Sequence, residues 1–265
     1  MNLNKQSFSL NKRQKIVITA VILTIGLLST QLVNFNLRFK FMLSLSLLAY
    51  LLSLWSLWVG LNRVKGVVLM ILPTLYTLAV VSFYFLLPIR WLTRLPVALF
   101  FGVSFYLLLL SQNVFNVASI RTIPLYRAAS TASFLFTLIT AFFLFNVVYA
   151  FNLLFIFNGL FVLLISFPLI LQILWAIEME DSLSLSVIVQ SFILSLILGE
   201  LGIVFSFWPM APTVWSLSLA SAVYILVGIK TASLRNRLSR RVVWEYLGLG
   251  GVILFASLIT TSWTG

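Results

Sequence analysis

The chain has 265 residues, 62% of them hydrophobic and only 8% charged, with a net charge of +12 and a mean hydropathy of +1.14. A soluble domain covers its surface with about 25% charged residues, so this composition excludes a soluble globular protein and makes lipid the solvent for most of the chain. Cysteine and histidine are both absent, which excludes disulfides, thiolate chemistry, a Ser-His-Asp triad, His-ligated zinc and ordinary haem ligation.

In a bilayer core only helices and closed barrels satisfy their own backbone. The apolar runs here have the length of about 20 residues that a helix needs to span, and they lack the strand alternation of a barrel. The sequence therefore predicts an all-α, polytopic transmembrane helix bundle of about nine spanning helices, with eight as the other count. Residues 1–15, with Lys5, Lys12, Arg13 and Lys15, form a short basic cytoplasmic tail, and 16–265 form a single transmembrane helical domain. The run 16–28 has the size of a signal-peptide core. Ser29-Thr30-Gln31 offers no small-x-small cleavage site, so the run is expected to remain as the first helix.

In chain order the predicted helices are 16–35, 41–61 and 66–87, the last carrying Pro73 as a kink. Asn62-Arg63-Val64-Lys65 separates the second from the third. The connection 88–96 sets Arg90, Trp91 and Arg94 at an interface, and helix four covers about 96–112, with an amphipathic turn or two beyond 112 as its alternative end. Residues 128–177 are nearly uncharged and too long for one crossing. Asn146, Asn152 and Asn158-Gly159 are the break signals, giving helices 128–149 and 159–177. Glu178, Glu180 and Asp181 close that run. Helix seven spans 185–206, a Trp208-to-Pro212 turn follows, and helix eight covers 213–229. The most basic loop, 230–241, precedes helix nine at 242–262.

Loop charge sets the expected orientation, because cytoplasmic loops are enriched in Lys and Arg. With nine crossings, the N-terminal side collects four cations in the tail, Arg63 and Lys65, Arg121 and Arg127, and five across 230–241. The other side holds only Arg38, Lys40, Arg90 and Arg94, completing the 17. The expected topology is N-in and C-out, in the cell (plasma or inner) membrane. The cations stand in pairs at helix ends, so the expected partners are membrane lipids, through anionic headgroups on the inner leaflet, and not nucleic acid.

Three groups are candidates for chemistry. Glu200 is the only acid inside a predicted span, where a charge costs a few kcal/mol. It flanks a small-residue seam of Ser191, Ser195, Gly199, Gly202 and Ser206 and is expected to turn inward. Gln112, Asn113 and Asn116, followed by Arg121 and Arg127, combine amide donors with two guanidiniums, a set suited to a phosphate headgroup. Glu178, Glu180 and Asp181 form an acidic knot able to hold a divalent metal. Glu245, four residues after Arg241, is expected to pair with it.

No Walker A, Rossmann or G-x-S-x-G pattern occurs, and the chain has only five acids. The sequence thus favours a non-enzymatic membrane protein: a small-molecule or lipid carrier, or a subunit of a membrane complex. The alternative is a membrane-embedded transferase acting on a phosphorylated, lipid-linked substrate. No cofactor is expected under the first reading; Mg²⁺ or Mn²⁺ would serve the second.

Overall fold

A computed structural model of the chain describes residues 11–30, 37–87, 91–118, 125–179 and 182–261. Among them the protein is all-helical. The order is α1 (Lys12–Ser29), α2 (Arg38–Leu57), α3 (Arg63–Leu86), α4 (Trp91–Ala118), α5 (Tyr126–Ala150), α6 (Phe155–Glu178), α7 (Leu185–Ser206), α8 (Pro212–Leu234) and α9 (Arg240–Thr260). Eight of these, α2 to α9, are long and apolar enough to cross a membrane, the build of a multi-pass membrane protein. The first helix is shorter and opens on Lys12, Arg13 and Lys15, yet it packs against α2 and α4 as part of the bundle.

The helices differ from their expected bounds in instructive ways. Helix four starts at Trp91, inside the expected 88–96 connection, and takes up the amphipathic continuation past 112 as far as Ala118, where the polar side chains of Gln112 and Asn116 find partners inside the bundle. The tract read as a 230–241 loop is mostly helix. Lys230 to Leu234 complete α8, which stops at Asn236 in the left-handed conformation (φ 54°). There Arg237 N–H donates to the Ala232 carbonyl at 2.9 Å and Asn236 N–H to the Ser233 carbonyl at 3.0 Å, the two bonds of a Schellman stop. A charged residue at the water interface does not end a helix; an αL residue does.

The turn between α5 and α6 falls at 151–154, with Asn152 in the αL region (φ 50°). Asn146 and Asn158, the other two break signals, lie buried inside helices. Asn146 Nδ2 donates to Ser216 Oγ at 3.4 Å and Asn158 Nδ2 to Ser206 Oγ at 3.1 Å. They tie helices together instead of interrupting them.

The centre of the bundle is α3, which touches α2, α4, α5 and α6. Of its most apolar window 67% is buried, against 6% for α9, which leans on α8 at the edge. The most extensive pairing is α6 on α7. The expected small-residue seam runs through it: Ser191, Ser195, Gly199 and Gly202 are buried. A Cβ added at Gly159 would stand 2.7 Å from the Gly199 carbonyl oxygen, and one at Gly199 would stand 3.0 Å from the Gly159 oxygen. Lipid gives helices no hydrophobic reason to associate, so close backbone approach and buried polar bonds carry the pairing.

Candidate functional site

The alternation of helices places the start of α1, the α2–α3 turn, the end of α4, the start of α5, the end of α6 and the α8–α9 turn on one face. Contacts across these ends agree. Lys12 Nζ donates to the Val59 carbonyl at 3.3 Å, and Tyr126 Oη donates to the Ala176 carbonyl at 2.7 Å. Arg235 Nη2 donates to Ser130 Oγ at 2.8 Å, with its guanidinium 6.0 Å from the Tyr126 ring. The polar and charged residues singled out in the sequence around 112–127 and at Glu178 thus share a face, apart from those outside the described residues: Arg121, Glu180 and Asp181. The tail to residue 10 and Arg90 lie outside them as well.

Gln112 and Asn116 turn inward and are 0% and 1% exposed. Gln112 Oε1 accepts from Gln172 Nε2 at 2.9 Å, and Gln172 Oε1 accepts the Leu72 N–H at 2.8 Å. Leu72 precedes Pro73, whose ring disturbs the α3 ladder, and a side chain from α6 serves a backbone group beside the proline. Asn116 Nδ2 donates to the carbonyls of Leu57 and Val59, both at 3.1 Å, and so clamps the α2–α3 turn from α4. Asn113 is half-buried, and Arg127 is exposed. The amides therefore act within the bundle, while the described arginine faces outward.

Glu178 Oε2 accepts from Ser184 Oγ at 3.0 Å, which closes the α6–α7 connection. Among the described residues no group of three His, Cys, Asp or Glu side chains is arranged to hold a metal. Arg241 Nε and Glu245 Oε1 pair at 3.1 Å on exposed surface, as the sequence spacing predicts.

Glu200 overturns the expected inward orientation. Gly199 and Gly202 are buried in the α6 seam, but Glu200, about 100° further round the helix, is exposed. It shares its stripe with Ile193, Leu196, Val204 and Phe207, which are 50%, 41%, 60% and 69% exposed. Six residues separate it from the end of α7, about 9 Å of helix rise. A carboxyl therefore stands on the outer, apolar wall of a membrane helix.

Two features escaped sequence reading. Arg38 and Arg94 reach the end of α3, with guanidiniums 5.3 Å from the Phe85 ring and 5.2 Å from the Tyr84 ring. There cation–π attraction and the negative helix terminus both favour them. At the opposite end of α3 a cleft of about 340 Å³ opens beside the α2–α3 turn, with Trp58, Asn62 and Arg63 toward the helix ends and Tyr50, Leu54 and Val67 further along α2 and α3. No motif spacing marks either feature, because each joins residues from separate helices.

Residues 52–260 match the family described as "Protein of unknown function (DUF5656)". No curated protein and no solved structure matches the chain.

Proposed function

The chain belongs to the DUF5656 family, and from its geometry we propose that it is a non-enzymatic subunit of a membrane complex, seated in the cell membrane with its cation-rich face toward the cytoplasm. Its role is to hold a second membrane protein against α7. The observation that carries this reading is Glu200 on the outward face of α7, between Leu196 and Val204. A carboxylate facing hydrocarbon costs a few kcal/mol. A Lys, Arg, Asn or Gln on a neighbouring chain at the same depth offsets that cost by a charge-assisted or amide hydrogen bond. Support also comes from the interior, where Gln112, Gln172 and Asn116 are spent on helix-to-helix bonds. A carrier would present such groups to a passing solute.

The test is photo-crosslinking in native membranes from probes at Leu196 and Val204. A discrete protein adduct is expected, lost in Glu200→Leu and retained in Glu245→Gln. Adducts to lipid alone, with no change on Glu200→Leu, would overturn the reading.

A further inference from the structure

We propose that the cleft between the end of α2 and the start of α3 binds one anionic phospholipid, its phosphate against Arg63 and one acyl chain along Leu54 and Val67. This site is separate from Glu200 and does not depend on the subunit reading.

Charge comes first. Arg63 is the first residue of a 24-residue helix whose first turn contains no acid. The first N–H groups of a helix lack intrahelical acceptors and carry the positive end of its dipole. A cation is disfavoured there, and an anion is favoured twice, by the amides and by the guanidinium. Arg63 is exposed, and among the described residues no carboxylate pairs with it. Arg38 and Arg94, by contrast, stack on rings at the other end of the same helix, where the dipole already favours a cation.

The shape of the cleft selects a lipid over a free anion. Its volume of about 340 Å³ far exceeds a phosphate, and Leu54 and Val67 make its floor apolar. Val67 and Leu51 are 57% and 56% exposed, so the floor continues onto the outer wall of α2 and α3. Trp58, 71% exposed at the very end of α2, stands where aromatic side chains favour the headgroup level.

The rim is also built before any ligand arrives. Gly60 turns the chain with φ 92°, and the carbonyls on either side of Trp58 are held by Asn116, that of Val59 by Lys12 as well. Binding then orders little additional chain. Gly66 leaves the cleft open: a Cβ there would meet only Leu54, at 3.8 Å.

The test uses the purified full chain, delipidated in detergent and titrated with phosphatidylglycerol, phosphatidylcholine or inorganic phosphate, with bound molecules counted by native mass spectrometry. One phosphatidylglycerol per chain is expected in preference to phosphatidylcholine, and millimolar inorganic phosphate should not displace it. Arg63→Gln should weaken retention about tenfold, the effect of one lost charge-assisted hydrogen bond. Gly66→Leu should abolish retention by filling the cleft while the thermal midpoint holds, because its Cβ meets Leu54 only at ordinary contact distance and leucine is a better helix former than glycine. Arg240→Gln with Arg241→Gln, on the same face, should leave retention unchanged. Equal retention of the two lipids, full retention in Gly66→Leu, an equal loss in the Arg240/Arg241 pair, or displacement by phosphate alone would each overturn the proposal.

Discussion

Glycines and polar side chains occupy both the α6–α7 seam and the outward faces of α7 and α9, but they meet opposite surroundings. In the seam Gly159 and Gly199 bring two backbones together, and Asn158 finds Ser206 across the gap. On the wall Glu200 faces outward, and a Cβ at Gly248 or Gly251 would meet nothing within 4 Å. The difference teaches how to read such residues in a membrane chain. Lipid does not drive apolar helices together, so small and polar groups mark contact surfaces. Where the fold satisfies them the contact is internal; where it leaves them outside, they point to a neighbour.

Breaking the seam should have the largest effect. In Gly159→Val the new side chain meets Ile203 and the Gly199 carbonyl oxygen. The oxygen belongs to a helix backbone and cannot swing aside, so α6 and α7 must separate. A loss of about 3 kcal/mol is expected, read as a large fall in thermal midpoint in detergent. Next comes Gln172→Leu, which leaves the Leu72 N–H beside Pro73 and the Gln112 amide without their shared partner. The expected cost is about 2 kcal/mol, the penalty of stranding buried polar groups. Hydrogen exchange should localise it to the middle of α3. Glu200→Leu, on the outer wall, should leave the purified chain within about 0.5 kcal/mol of the parent, since the carboxyl has no hydrogen-bond or ion-pair partner among the described residues. A fall as large as that of Gln172→Leu would mean that the wall is an internal surface after all.

Much of this contrast was legible in sequence, though not which side each residue would take. The helix expected at about 185–206 runs from Leu185 to Ser206, where its apolar run gives way to the turn at 208–212; the Ser184 hydroxyl that accepts the Val187 N–H at its start is a feature the structure adds. The seam was read as well, because small residues at three- and four-residue spacing share a helix face. Spacing does not say how wide that face is, and Glu200 falls one step beyond it. The three asparagines of the 128–177 run show the same limit. Asparagine in an apolar stretch either takes up αL geometry at a turn, as Asn152 does, or bonds a neighbouring helix, as Asn146 and Asn158 do. What stands opposite decides, and that is set by Ser216 and Ser206, far along the chain. Gln172 escaped notice for this reason. Its partners lie 60 and 100 residues away, and its role exists only because Pro73 disturbs a helix elsewhere.

The smallest effects should separate the two sides of α9. Gly250 faces α8, and a Cβ there would meet Ile225 Cδ1 at 2.6 Å, whereas Gly248 and Gly251 face open space. Gly250→Leu must push past a side chain that has some freedom to move, so it should cost about 1 kcal/mol and loosen α9 from α8. Gly248→Leu, two residues away, should cost nothing in the purified chain, since it replaces glycine by a stronger helix former. Protease susceptibility of the α8–α9 turn at 235–239 is the measurement, because it reports detachment of α9 directly. Faster cleavage in Gly250→Leu with unchanged cleavage in Gly248→Leu fits a helix that rests on α8 by one face and offers the other to a neighbour. Equal acceleration in both would show that α9 is covered on each side, and the outer wall would then end at α7.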